Sequence, residues 1–256
     1  MDDILKALVE GRLDIEDAKR ELELRFYGQG SHNIDTGREQ RTGVPEVVHA
    51  EGKETEHLIS IIGDFLDRTG RVLVSRLESS IWNEMEKELR ANYTATIFEY
   101  ERTARFLVAR NTDLEIKKNR GKVGILTAGT SDIPVAMEAE ITVREMGCEV
   151  KSFNDVGIAG LHRVMRPLKE LHDWGADVVI VAAGREGALP TLVSGLIRVP
   201  VIGLPVSTGY GIHGKGETAL FAMLQSCSPL AVVNIDAGFV AGAIAGKIAI
   251  GSDNSR

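Results

Sequence analysis

Residues 123–132 read V-G-I-L-T-A-G-T-S-D, and this stretch decides how the chain is interpreted. A short apolar run breaks into small residues, and a helical pattern opens after Asp132. The order is strand, loop, helix, and such a junction builds an anion site. Gly129 lets the backbone approach a ligand, while Thr130 and Ser131 offer hydroxyls. The first N–H groups of the helix, which have no intrahelical partner, point at whatever sits above the strand.

The same rhythm continues downstream. Apolar runs at 123–126, 149–152, 178–182, 201–206 and 231–235 alternate with helical stretches at 133–146, 161–174, 192–197, 217–226 and 238–250. Five buried-type strands separated by helices specify an α/β fold, a doubly wound five-stranded parallel sheet covered on both faces. In that layout ligands bind beyond the carboxyl ends of the strands, where the strand order reverses. The loops at 127–132, 153–163, 183–190 and 207–216 should gather there.

Upstream, residues 3–24 read as two short amphipathic helices, a dock or an oligomer contact. Residues 27–43 are polar and glycine-rich, leading into a strand at 46–49. Arg38 and Arg41 in this loop are either a phosphate clamp or solvated arginines, since only a fixed bidentate fork confers specificity. A helix at 54–69 closes on Gly70, a strand follows at 71–77, a helix at 81–90, and a β-prone region at 94–109. The basic break K-K-N-R-G-K at 117–122 is the natural linker. It divides the chain into a smaller N-terminal α+β domain, 1–116, and a second domain, 117–256.

Composition narrows the function. The chain has 256 residues and a formal charge of -7, which argues against nucleic-acid binding because no concentrated Lys/Arg face appears. The start, M-D-D-I-L-K, lacks a signal peptide pattern, and no apolar segment approaches a membrane span, so a cytoplasmic protein is expected. Two cysteines and six scattered histidines show neither a disulfide framework nor metal-ligand spacing.

Candidate site residues come from the loops. Asp132 reads as a helix N-cap or as a group holding a ribose or a proton. Asp155, His162 and Arg163 share one edge, where a His-Arg pair could bind phosphate or carboxylate, or lie on a solvated helix face. Glu186, between Gly184 and Gly187, is a general base partly buried at the sheet mouth, or an exposed turn carboxylate paired with Arg185. Cys227, in Q-S-C-S-P, lies at the amino edge of its strand, either packed or completing a neighbouring subunit's site. Cys148 is core. Gly238, Gly242 and Gly246, four apart in the last helix, suggest an oligomer core.

These motifs resemble a known family. G-T-S-D at 129–132, H-R at 162–163, A-G-x-E-G-A-L-P at 183–190 and V-I-G-L-P-V at 201–206 resemble the carboxylases that rearrange N5-carboxyaminoimidazole ribonucleotide (PurE). A closer resemblance spans nearly the whole chain. D-x-x-R-x-x-R-x-G-x-P-E-V at 35–47, S-F-N-D-V-G-I-A-G-L-H-R at 152–163, S-C-S-P at 226–229 and V-V-N-I-D-A-G-F at 232–239 are similar to the pyridinium-3,5-biscarboxylic acid mononucleotide synthases (LarB) of nickel-pincer cofactor biosynthesis.

The resemblance implies a flavodoxin-type strand order and two reactions on nicotinic acid adenine dinucleotide: carboxylation of pyridinium C5 with CO2, and phosphoanhydride hydrolysis releasing AMP. By position, Cys227 would be the thiolate that adds to ring C4, and Glu186 the base. Gly129, Thr130, Ser131 and Asp132 would hold phosphate and ribose, with Asp155, His162, Arg163, Gly184 and Gly187 around them and Arg38 and Arg41 also contributing. No organic cofactor and no bound metal centre is implied, Mg2+ being the one ion in question. The assembly would be a homo-oligomer, an octamer by analogy with PurE. Arg185, Ala237 and Val240 depart from the family pattern. Two other readings are a PurE-type mutase and a non-catalytic nucleotide-binding module.

Overall fold

The computed structural model describes residues 2–27, 35, 37–209 and 214–253. The parts of the loops at 27–43 and 207–216 that fall on 28–34, 36 and 210–213 lie outside the described residues. The chain forms two compact units, Met1–Glu99 with Leu107–Leu114, and Tyr100–Phe106 with Glu115–Arg256.

The first unit contains helices α1 (Asp2–Val9), α2 (Ile15–Tyr27) and α3 (Arg38–Thr42), strand β1 (Val47–His49), α4 (Thr55–Thr69), β2 (Arg71–Ser75), α5 (Ser79–Asn92), β3 (Thr96–Glu101) and β4 (Phe106–Asn111). Its sheet runs β1-β2-β4-β3, with β1 parallel and β4 antiparallel to β2. Helix α4 buries Leu58, Ile61, Ile62, Phe65 and Leu66 at helical spacing. It stops at Gly70, whose φ of 73° turns the N–H back onto the carbonyls of Phe65 and Leu66. Part of the expected 27–43 loop is instead the single-turn helix α3, closed by Gly43.

The second unit runs β5 (Lys122–Thr127), α6 (Ile133–Glu145), β6 (Glu149–Phe153), α7 (His162–Trp174), β7 (Val178–Ala183), α8 (Ala188–Leu196), β8 (Val201–Pro205), α9 (Glu217–Leu224), β9 (Ala231–Val232) and α10 (Gly238–Asp253). All five strands are parallel in the order β6-β5-β7-β8-β9. This is the expected doubly wound sheet in flavodoxin-type order, and it places the switch point between β5 and β7. Alternate residues of β7 feed opposite layers. Val178, Ile180 and Ala182 pack with residues of α6 and α10, while Val179, Val181 and Ala183 pack with residues of α7, α8 and α9. Pro167 sits inside α7.

The glycine stripe of α10 has a different use from the expected oligomer core. A Cβ on Gly242 would lie 2.6 Å from the Ala139 carbonyl oxygen, and one on Gly246 would lie 2.6 Å from Met146 Sδ. The missing side chains let α10 press against α6 within the same chain, so the stripe is consumed by an internal contact. Among the described residues no helix is long and apolar enough to cross a membrane.

Candidate active site at the switch point

A cavity of about 470 Å3 opens at the carboxyl ends of β5 and β7. Ala128, Gly129, Ser131 and Asp132 form one wall, and Ala183, Arg185, Glu186 and Gly187 face them. Gly157, Arg163, Thr208 and Gly209 also belong to the lining.

The strands position these walls through the main chain. Thr127 ends β5 fully buried, its carbonyl accepting the Val156 N–H and its hydroxyl oxygen the Asp155 N–H at 3.1 Å. That clasp seats the second loop against the first so closely that a Cβ on Gly157 would lie 2.6 Å from the Ala128 carbonyl oxygen. After β8, the Ser207 N–H donates to Asp236 Oδ1 at 2.9 Å, and the Asp236 N–H returns to the Pro205 carbonyl. The fourth loop is thereby fixed where Thr208 reaches the cavity.

Asp132 is the buried carboxylate of the site, 3% exposed. Its Oδ2 accepts the Gly129 N–H at 2.8 Å, so the side chain turns back into the loop and gives α6 no side-chain cap. Burial raises its pKa above the usual 3.8. The Gly129 N–H, the Thr208 hydroxyl and the Gly184 N–H oppose the rise, and the charge of Glu186 adds to it. Gly184 is required for this closeness: a Cβ there would meet Val206 O at 2.9 Å and Asp132 Oδ1 at 3.0 Å.

Glu186 lines the cavity and is exposed, as in the second of its two readings and not the partly buried one. The turn between Gly184 and Gly187 carries it outward from the end of β7, so a buried strand does not bury the carboxylate that follows it. Arg163 lines the cavity while its Nη1 bonds both the carboxylate and the carbonyl of Asp155, each at 3.1 Å. Asp155 therefore aims the guanidinium from outside the lining. Thr130 and His162 are exposed and lie outside it too.

Arg38 and Arg41 belong to the first unit. Arg38 pairs with Glu46 at 3.3 Å, and Arg41 forks onto Asp35 at 2.9 and 2.5 Å. That fork holds the Asp35 carboxyl below its usual range. Glu46 is half-buried, and desolvation raises its pKa despite Arg38. Cys227 is exposed in the connection from α9 to β9. Because β9 runs parallel to β8, this connection lies at the amino edge of the sheet, opposite the cavity. Cys148 is buried.

Lining residues that the sequence reading did not single out include Ala128, Gly157, Arg185, Thr208 and Gly209. Arg185 drew notice only as a departure from a pattern. The polar S-T-G that follows a fully apolar strand is the signal that identifies Thr208 and Gly209. A buried carboxylate, an exposed carboxylate, an aimed guanidinium and a glycine-lined main chain together can hold a phosphorylated ribose and move a proton beside it.

A parallel 2-1-3-4-5 sheet with a ligand cavity at its switch point defines the class as a flavodoxin-like small-molecule-binding protein. Residues 122–255 match the AIR carboxylase family, and residues 26–111 match the LarB/PurE-like N-terminal domain. An uncharacterised protein of Methanocaldococcus jannaschii is 42% identical over 252 residues, 96% of each chain. The N5-carboxyaminoimidazole ribonucleotide mutase of Thermotoga maritima is 31% identical over 133 residues, 50% of this chain and 74% of that one. The corresponding mutase of Pyrococcus horikoshii is 28% identical over 127 residues, 48% of this chain and 69% of that one. The chain belongs to the PurE-related AIR carboxylase family, in its LarB-type form with the added N-terminal domain.

Proposed function

We propose that this protein carboxylates C5 of the pyridinium ring of nicotinic acid adenine dinucleotide with CO2 and hydrolyses the phosphoanhydride. The products are pyridinium-3,5-biscarboxylic acid mononucleotide and AMP. The observation that carries the reading is a cavity where Glu186 faces the Gly129–Asp132 loop, in a chain that also has the LarB/PurE-like N-terminal domain.

In this scheme the Gly129 to Asp132 wall holds the ribose and phosphate, with Arg163 offsetting phosphate charge. The Cys227 thiolate adds to ring C4, and the electron pair moves to the ring nitrogen. The resulting dihydropyridine is enamine-like at C5 and attacks CO2. Glu186 takes the C5 proton, and loss of the thiolate restores the pyridinium. Since Cys227 lies at the opposite edge of its own sheet, a second copy of the chain supplies it. Leu224 and Phe221 stand 61% and 55% exposed on the helix just before Cys227, an apolar surface suited to such a neighbour.

Incubation with nicotinic acid adenine dinucleotide and dissolved CO2, followed by mass spectrometry, is the test. Absence of both the carboxylated mononucleotide and AMP with folded protein rejects the proposal. The mutase relatives favour one other reading, and conversion of N5-carboxyaminoimidazole ribonucleotide under the same conditions would establish it instead.

A further inference from the structure

Among the described residues, the charged side chains lining the switch-point cavity are two acids, Asp132 and Glu186, and two guanidiniums, Arg163 and Arg185. The proposed function uses the first three and gives Arg185 no task. The two arginines are rooted on opposite sides of the Gly129–Asp132 loop, because β5 lies between β6 and β7 in the sheet. Arg163 opens the helix that follows β6, where Asp155 holds its Nη1. Arg185 follows β7, which ends at Ala183. Strands separated by a third lie roughly 10 Å apart, so a ligand seated above β5 has one guanidinium rooted on either side of it.

The root of Arg185 is fixed by close packing. A Cβ on Gly209 would lie 2.0 Å from the Gly184 carbonyl oxygen and 3.4 Å from Arg185 Cα, so the fourth loop rests directly on this main chain. The side chain is exposed and stands next to Glu186. A ligand that brings its own carboxylate beside Glu186 meets like charge, which a neighbouring guanidinium offsets. Geometry adds to charge. A guanidinium carries five N–H donors and no acceptor, so it can fork onto both oxygens of a carboxylate but onto only one atom of a carboxamide. Five donors also mean that a bond to one protein group does not use up the fork.

We infer that Arg185 makes this cavity choose a pyridinium carboxylic acid over the corresponding amide, its guanidinium forking onto the carboxylate at ring C3. The inference rests on the proposed function for its ligand and names the side chain that sets the choice. Arg163 meets the phosphate at the other end of the same nucleotide. Because Arg185 departs from the family pattern, the choice is a property of this chain.

Titration calorimetry on the full chain with nicotinic acid mononucleotide and nicotinamide mononucleotide is the test. Wild type should bind the acid about tenfold more tightly, the lower range for a hydrogen-bonded charge pair. Arg185→Gln should lose that preference by weakening the acid alone, and its unchanged binding of the amide reports intact folding. Arg163→Gln removes the same charge but should weaken both ligands alike, which separates a local fork from net positive charge. Arg185→Lys, with charge but no fork, should keep only part of the preference. Equal weakening of both ligands by Arg185→Gln overturns the inference, as does a wild type that binds the two equally or binds neither. Carboxylation assayed on the same wild-type sample tells the two claims apart. A protein that prefers the acid through Arg185 but forms no carboxylated product refutes the proposed reaction and keeps the inference, and one that carboxylates without preference does the reverse.

Discussion

At the carboxyl ends of β5 and β7 main chain meets main chain: Gly157, Gly184 and Gly209 bring loops to within contact of one another, and one carboxylate is sealed beneath. At the ends of β1 and β2 the material is side chain. His49, Lys53 and Arg76 extend from two short loops, and Gly52 between them meets nothing within 4 Å of where a Cβ would sit. The first edge is held by loops in contact, while at the second His49 bonds Ser75, Lys53 bonds the His49 carbonyl and Arg76 bonds Glu51. Glycine substitutions should therefore damage the first edge far more than the second.

The largest expected effect concerns what the main-chain edge lacks. Cys227→Ser should lower carboxylation by at least ~10³-fold, because no covalent route remains. Mixing Cys227→Ser with Glu186→Gln, after dissociation and reassembly, should recover activity that neither variant has alone. Failure to recover any would place the thiol's partner in its own chain. Gly157→Ala comes next. Its methyl must displace the Ala128 carbonyl, and a shift of this kind in a positioned wall costs about 10²-fold in kcat/KM.

The third effect is a pH dependence. Because the folded pKa of Asp132 is raised, the folded state binds this proton more tightly than the unfolded state does. The associated stability is complete below about 3.8 and is lost as pH rises through the raised value. The melting temperature of wild type minus that of Asp132→Asn should accordingly decrease from pH 3.5 to pH 7. A constant difference would show that the carboxylate is as well solvated as in the unfolded chain. The smallest effect is at the other edge: Gly52→Ala, at φ 76° in open space, should cost about 1 kcal/mol in denaturant melts and leave AMP release unchanged.

The sheet was legible because each of its strands is an apolar run between polar loops, and burial on both faces demands that composition. Limits were harder. Helix α8 begins at Ala188, four residues ahead of the expected start, since Pro190 fits a first helical turn although it reads as a loop residue. Strand β9 stops at Val232, yet the Val233 and Asp236 N–H groups still bond to Gly203 and Pro205. The apolar pattern ran on because those residues continue beside the sheet without strand pairing.

At the site, residue types announced the loops and not the fate of each side chain. Asp132 read first as a cap of α6 and second as a ligand residue, and only the Gly129 contact shows it turned into the loop. Glu186 allowed a partly buried and an exposed reading, and the turn that follows the buried strand decides for exposure. The glycines of α10 announced a close approach without naming the approaching helix, and α6 of the same chain fills that place.

Pro167 has a consequence for the cavity. A helical carbonyl is normally tethered by the N–H four residues ahead, and for Arg163 that residue is Pro167, which has none. The opening turn of α7, which carries the guanidinium into the cavity, is thus joined to the remainder of its helix by one hydrogen bond fewer. Opening that turn locally therefore breaks one hydrogen bond fewer than it would in an unbroken helix.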